Sequence, residues 1–188
     1  MEKRHVWPDG HWNWPINVTH KHGVRCGEMV WVGGQVDLTP GGVVCNKDDL
    51  KTQTTNVMRN FDAVLRGLDC DLTDLVQLLC FYVNDGSQDE LAFLEMVGAC
   101  LPAGTKTTIN AIPVPYLAYE GMVVEIEGYA MRRVDGRKTE RTYSLNPQAS
   151  LLPEPFCQAL RSGKMIFVSA QYPIDSSGQV LAPGDIVE

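Results

Sequence analysis

Glu125 and Glu127 lie two residues apart in the run Met122 to Met131 and bring two carboxylates close in sequence. Strand side chains alternate, so both fall on one face, and a carboxylate beside a water molecule can accept its proton and align it. The alternation with Val124, Ile126, Gly128 and Ala130 fits a solvated strand face equally well, and spacing alone leaves both readings open. The N-terminal tract HVWPDGHWNWPINVTHKH carries His5, His11, His20 and His22. Only His20 and His22 are close, and no carboxylate or cysteine cluster completes a tetrahedral set, so no metal is expected. No Ser or Cys sits in a nucleophile elbow, and Gly33-Gly34 and Gly41-Gly42 are hairpin glycines rather than a phosphate loop, which needs a helix start after it. Cysteines 26, 45, 70, 80, 100 and 157 form no C-x-x-C pair and read as small core residues without disulfides.

The elements that must position these residues follow from periodicity. Met29 to Val36 and Val43 to Cys45 are strand-like, and the Pro40-Gly41-Gly42 turn between them predicts a hairpin. From Asp49 the period becomes helical, with Val57, Phe61, Val64, Leu65 and Leu68 on one stripe. Leu75 to Val83 is a short, almost continuously apolar run, expected to be a central strand buried on both faces. Ser87 and Glu90 have capping-box spacing ahead of a stripe of Leu91, Leu94, Val97 and Leu101 that Pro102 stops. Thr107 to Ile112 and Met122 to Met131 complete the order ββαβαββ. This predicts an α+β domain over residues 19–133, a mixed sheet with two helices on one face. Residues 1–18 form a Trp/His-rich arm whose Trp7, Trp12 and Trp14 are expected to pack over the domain at a subunit contact, and 134–150, with its Asp135-Gly136 turn, an exposed linker.

Composition sets outer limits. A chain of 188 residues with 44% apolar content has material for one domain or one and a half. A net charge of -7 speaks against a nucleic-acid surface, which needs cations. No apolar run approaches the roughly 18 residues of a membrane span, and a cytoplasmic location is expected.

Residues 23–52 recur at a constant offset of 136, GVRCGEMVWVGGQ returning as ALRSGKMIFVSAQ, with eight identities in thirty positions. Residues 151–188 therefore read as the opening of a second repeat, a β-hairpin of a truncated copy. Two strands alone are marginal in water, so this hairpin is expected to lean on the first unit, on another chain or on further sequence.

The string VWVGGQVDLTPGGVV, Gln53, Asn60, LVQLLCFYVND and VVEIEGYA resemble the RidA/YjgF family of imine and enamine deaminases over about 115 residues. The resemblance implies a chorismate-mutase-like fold assembled as a ring of three units with sites in the clefts between neighbours. It places Glu125 at the family glutamate that positions the attacking water, and Lys106 where the family has a carboxylate-gripping arginine. Lysine is a mobile point charge without arginine's planar fork. Gly33 stands where the family has the serine of S-G-Q, followed by Gln35, while the second repeat keeps that serine as Ser169. The family tyrosine falls on His20 and on Phe156, and Thr108 continues the pattern after Lys106. The substrate-binding set implied is Lys106, Gly33, Gln35, Thr108 and His20.

The resulting expectation is a cofactor-free enzyme that hydrolyses a small, carboxylate-bearing imine or enamine to a carbonyl compound and ammonia, as a homotrimer or tandem pseudo-oligomer. The alternative is a non-catalytic module that binds small metabolites in the same clefts. Endoribonuclease activity, which some family members carry, fits poorly with an acidic chain.

Overall fold

The computed structural model describes residues 2–144, 152–175, 177, 179–181 and 183–184. Its elements are β1 (Lys3–Val6), β2 (Gly23–Cys26), β3 (Met29–Gln35), α1 (Leu50–Arg66), β4 (Leu75–Val83), α2 (Glu90–Ala99), β5 (Thr108–Val114), β6 (Val124–Met131), β7 (Arg141–Ser144), β8 (Ala159–Ser162) and β9 (Met165–Val168). Six strands form one sheet in the order β1-β2-β3-β6-β4-β5, in which only β4 and β5 run parallel. The stretch from β2 to β6 has the order ββαβαββ that periodicity predicts.

α1 begins where Asp49 accepts a hydrogen bond from the Thr52 amide, and the stripe Val57, Phe61, Val64 and Leu65 is fully buried. It packs on Val30 and Val32 of β3, Leu78, Cys80 and Tyr82 of β4, and Val124 and Ile126 of β6. Alternation along these strands sends the remaining side chains, Glu125 and Glu127 among them, to the opposite face.

Several sequence expectations change. The hairpin is β2–β3, closed at Gly27 in the left-handed region (φ 61°), whereas Val43–Cys45 contributes only the single bridge Leu38↔Val44. β4 is buried on its helix side and, apart from Val76, half-buried on the other, since helices cover one face alone. α2 is capped by Asp89, whose carboxylate accepts from the Leu91 amide, and Ser87 instead donates to Asp85. Its buried stripe is Phe93, Leu94 and Val97, and Leu91 is exposed. The residues expected as an arm include β1, which pairs with β2, and Trp12 is buried within the chain against Val36, Leu38 and Met122 rather than held for a subunit contact.

Arg141–Ser144, expected as linker, is a strand, and β7-β8-β9 make a second sheet. Residues 145–150 lie outside the described set. The second sheet leans on the first unit: Leu160 and Phe167 pack against Val76 and Met131, and Phe156 is part of the main core. All six cysteines are free. No helix among the described residues is long and apolar enough to cross a membrane.

Candidate active site

Glu125 sits on β6 opposite Phe81 of β4. On its other side the β3–β6 register slips between Val32 and Gln35, which places the Gly33-Gly34 doublet beside it. A Cβ on Gly34 would lie 1.8 Å from the Glu125 carboxylate, so that carboxylate rests directly over a backbone that only glycine leaves open. Burial raises the pKa of Glu125 above the ordinary carboxylate value, and the like charge of Glu127 raises it further. The arrangement is a partly desolvated carboxylate on a sheet face, suited to exchanging protons with water.

Gly33 donates its amide to the His22 carbonyl at 2.9 Å, and a Cβ there would meet only ordinary contacts. Gln35 is fully buried and entirely committed. Its Oε1 accepts from His11 Nε2 at 2.8 Å and Trp12 Nε1 at 3.0 Å, and its amide donates to the Gly33 and Gly34 carbonyls. It fixes the arm and the Gly33-Gly34 backbone and presents nothing to a ligand. Thr108 is likewise fully buried, its hydroxyl donating to the Val76 carbonyl at 2.8 Å.

His20 lines a cavity of about 380 Å³ together with Trp7, Asn13, Asn17, Thr19 and Lys21. Its ring lies 5.0 Å from those of Trp7 and His22. His22 is buried, donates Nε2–H to the Trp12 carbonyl and has Nδ1 without a partner among the described residues. Burial, followed by the neighbouring His11 and His20, depresses its pKa to about 4. Among the described residues no three His, Cys, Asp or Glu side chains are arranged to hold a metal.

Lys106 stands just before β5, and both Glu154 carboxylate oxygens are within 2.7 Å of its Nζ. The sheet register measures its distance from Glu125. Phe81 is the partner of both Glu125 and Ile112, and Lys106 precedes Ile112 by six residues. At the strand rise this is about 20 Å, beyond the reach of both side chains, so one chain does not bring Lys106 and Glu125 together. Ser169 is also withdrawn, donating to the Cys157 carbonyl at 2.7 Å and accepting from the Ile109 amide at 2.9 Å. Gly34 and Glu154 escape sequence reasoning, although the glycine doublet beside a strand was a legible sign of close backbone approach.

Residues 16–132 match the family model described as Endoribonuclease L-PSP. A RutC family protein of Pyrococcus horikoshii is 23% identical over 115 residues, covering 60% of this chain and 86% of the relative. The crystal structure of RidA from an Antarctic Psychrobacter superposes with a TM-score of 0.58 at 22% identity, over 69% of this chain and 99% of that one. YyfA, a Rid-family protein of unknown function from Yersinia pestis, gives 0.58 at 22% identity over 70% and 100%.

Proposed function

Because this chain belongs to the endoribonuclease L-PSP family, the RidA/YjgF family, we propose that it hydrolyses a small imine or enamine acid to a carbonyl compound and ammonia, with Glu125 as the catalytic carboxylate. The observation that carries this reading is the Glu125 carboxylate over Gly34, partly desolvated and with its proton affinity raised. Such a group takes a proton from water as the oxygen bonds to the carbon of the protonated imine, C=NH2+, whose π electrons move to nitrogen to leave a neutral amine; an enamine first takes a solvent proton at its β-carbon to reach that form. It then returns its proton to the amine nitrogen of the tetrahedral adduct. The C–N bond breaks as the hydroxyl oxygen closes to the carbonyl, its proton passing to the Glu125 carboxylate, and ammonia leaves. The raised affinity serves both transfers, because a carboxyl closer to neutrality both accepts and gives up a proton more evenly. The imine carbon is itself the electrophile once the nitrogen is protonated, and no cofactor enters this sequence.

Lys106 is the cation for the substrate's carboxylate. At about 20 Å along the sheet it can serve a Glu125 site only from an adjoining copy, in keeping with a cleft between units, and its present partner Glu154 must first move aside. His20 and Gly33 would line the Glu125 side.

Ammonia release from freshly generated 2-imino acids tests this for wild type, Glu154→Gln and Glu125→Gln. The expected order is acceleration over buffer by wild type, more by Glu154→Gln, and none by Glu125→Gln. If neither wild type nor Glu154→Gln accelerates release, the deaminase reading fails for those substrates. The Lys106–Glu154 ion pair favours a second reading, a small-metabolite-binding module without turnover. That reading predicts Glu125-independent binding and no ammonia.

A further inference from the structure

The cavity beside His20 is walled in part by residues outside the family domain. Trp7 and Asn13 precede residues 16–132, the span that matches the family model, yet they line the same cavity of about 380 Å³ as Ile16, Val18, His20 and Lys21. Trp7 is held there by the sheet. It follows β1, whose pairing with β2 carries the chain alongside the hairpin that leads to Gly33 and Gly34, and its ring packs on those of His20 at 5.0 Å and His22 at 4.4 Å. Trp12 is sealed in the core, whereas Trp7 is 38% exposed, Val18 41% and Ile16 64%. Single exposed apolar side chains are ordinary on a protein surface. Three that converge on one cavity give it an apolar lining, with the cation of Lys21 beside it.

This cavity borders the Glu125 site. The Lys21 carbonyl lies 3.6 Å from a Cβ placed on Gly33, the His22 carbonyl accepts the Gly33 amide at 2.9 Å, and the next residue is the Gly34 over which the Glu125 carboxylate rests. By these contacts and standard chain dimensions the Lys21 carbonyl is at most about 12 Å from that carboxylate. The two residues between them are glycines and put no side chain into the gap. From the imine carbon to the far edge of a benzyl side chain is roughly 6 Å at ordinary bond lengths, a reach that matches this spacing.

We propose that this cavity is the side-chain pocket of the Glu125 site and that it selects imino acids with an aromatic or comparably large apolar side chain, Trp7 and Ile16 being the walls that set the preference. An aromatic ring there releases water from three apolar surfaces and packs on the Trp7 ring. An alanine-sized substrate leaves the cavity hydrated and gains nothing from it. The proposal rests on the deaminase reading for its reaction. The pocket itself is tested apart from that reaction, because the keto-acid product carries the same side chain as the imine and reports on the pocket by binding alone.

Calorimetric titration of the full chain with phenylpyruvate, pyruvate and 2-oxoglutarate reads the pocket, and ammonia release from the imines of phenylalanine and alanine reads its effect on turnover. Wild type is expected to bind phenylpyruvate about tenfold or more tighter than pyruvate, and to prefer the phenylalanine imine in kcat/KM by a similar factor. Trp7→Ala and Ile16→Asp should each reduce both ratios severalfold. Should Trp7→Ala unsettle the arm, seen as a lowered urea midpoint, Ile16→Asp carries the test, since its side chain is the most exposed of the three and the fold depends on it least. Phenylpyruvate binding no tighter than pyruvate overturns the proposal, as does an advantage that survives both variants. Tighter binding of 2-oxoglutarate also overturns it, because Lys21 would then be selecting an acidic side chain. An intact binding ratio without acceleration of any imine supports the pocket while refuting the deaminase reading.

Discussion

Acidification should unlock the arm through His22 before it affects the carboxylates. The His22 ring is buried, with the rings of Trp7 and His11 at 4.4 Å and of Trp12 at 4.6 Å, and has no acidic neighbour to hold a charge. Its folded pKa is about 4 against an ordinary value of 6.5. Because the folded pKa is the lower, the unfolded chain takes up a proton that the folded chain refuses as pH falls below 6.5. Stability is therefore complete above that value and drains away toward pH 4. Linkage gives a loss of about 2 kcal/mol by pH 5 and about 3 kcal/mol when the transition is complete. His11, also depressed by burial, acts in the same direction. Urea unfolding at pH 7 and pH 5 measures the effect on wild type and on His22→Gln, which keeps a donor for the Trp12 carbonyl but cannot titrate. The variant should be less stable at pH 7 and lose about 2 kcal/mol less on acidification. Parallel losses in the two proteins would refute the reasoning.

Three further perturbations test other parts of the structure. Gly34→Ala sets a Cβ against the Glu125 carboxylate, so ammonia release should drop to the level of Glu125→Gln while the unfolding midpoint moves little. Asp74 has a fully buried carboxylate that holds Arg132 at 2.7 Å, Lys138 at 3.0 Å and the Asp71 amide at 3.0 Å, and Asp74→Ala should cost about 3 kcal/mol in denaturant melts. Ser169→Ala removes the bonds to Ile109 and Cys157, and about 1–2 kcal/mol of local stability should disappear, read as faster exchange of the Ile109 amide.

The scaffold was legible because its signals are local. The α1 stripe, the Leu75–Val83 run and the alternation around Glu125 each report a period that one element satisfies by itself. The boundaries that shifted were those set by competition between local and distant partners. Val43–Cys45 has strand composition but only one bridge, because β3 finds its partners in β2 and β6. Ser87 and Glu90 have the spacing of a capping box, yet the Asp89 carboxylate accepts from the Leu91 amide and caps the helix instead.

Candidate site residues could be named from the sequence, but not how they are arranged. Composition and periodicity gave an acidic α+β chain, the self-similarity at an offset of 136 suggested a partial second unit, and a family pattern singled out Glu125 and Lys106. Only the tertiary structure showed that Gln35 and Thr108 are sealed in the interior, that Glu125 lies over Gly34, and that Glu154 answers Lys106. The reason is physical. A strand's face and a helix's stripe are written in neighbouring residues, whereas burial, ion pairing and desolvation belong to groups that meet only after distant segments have packed.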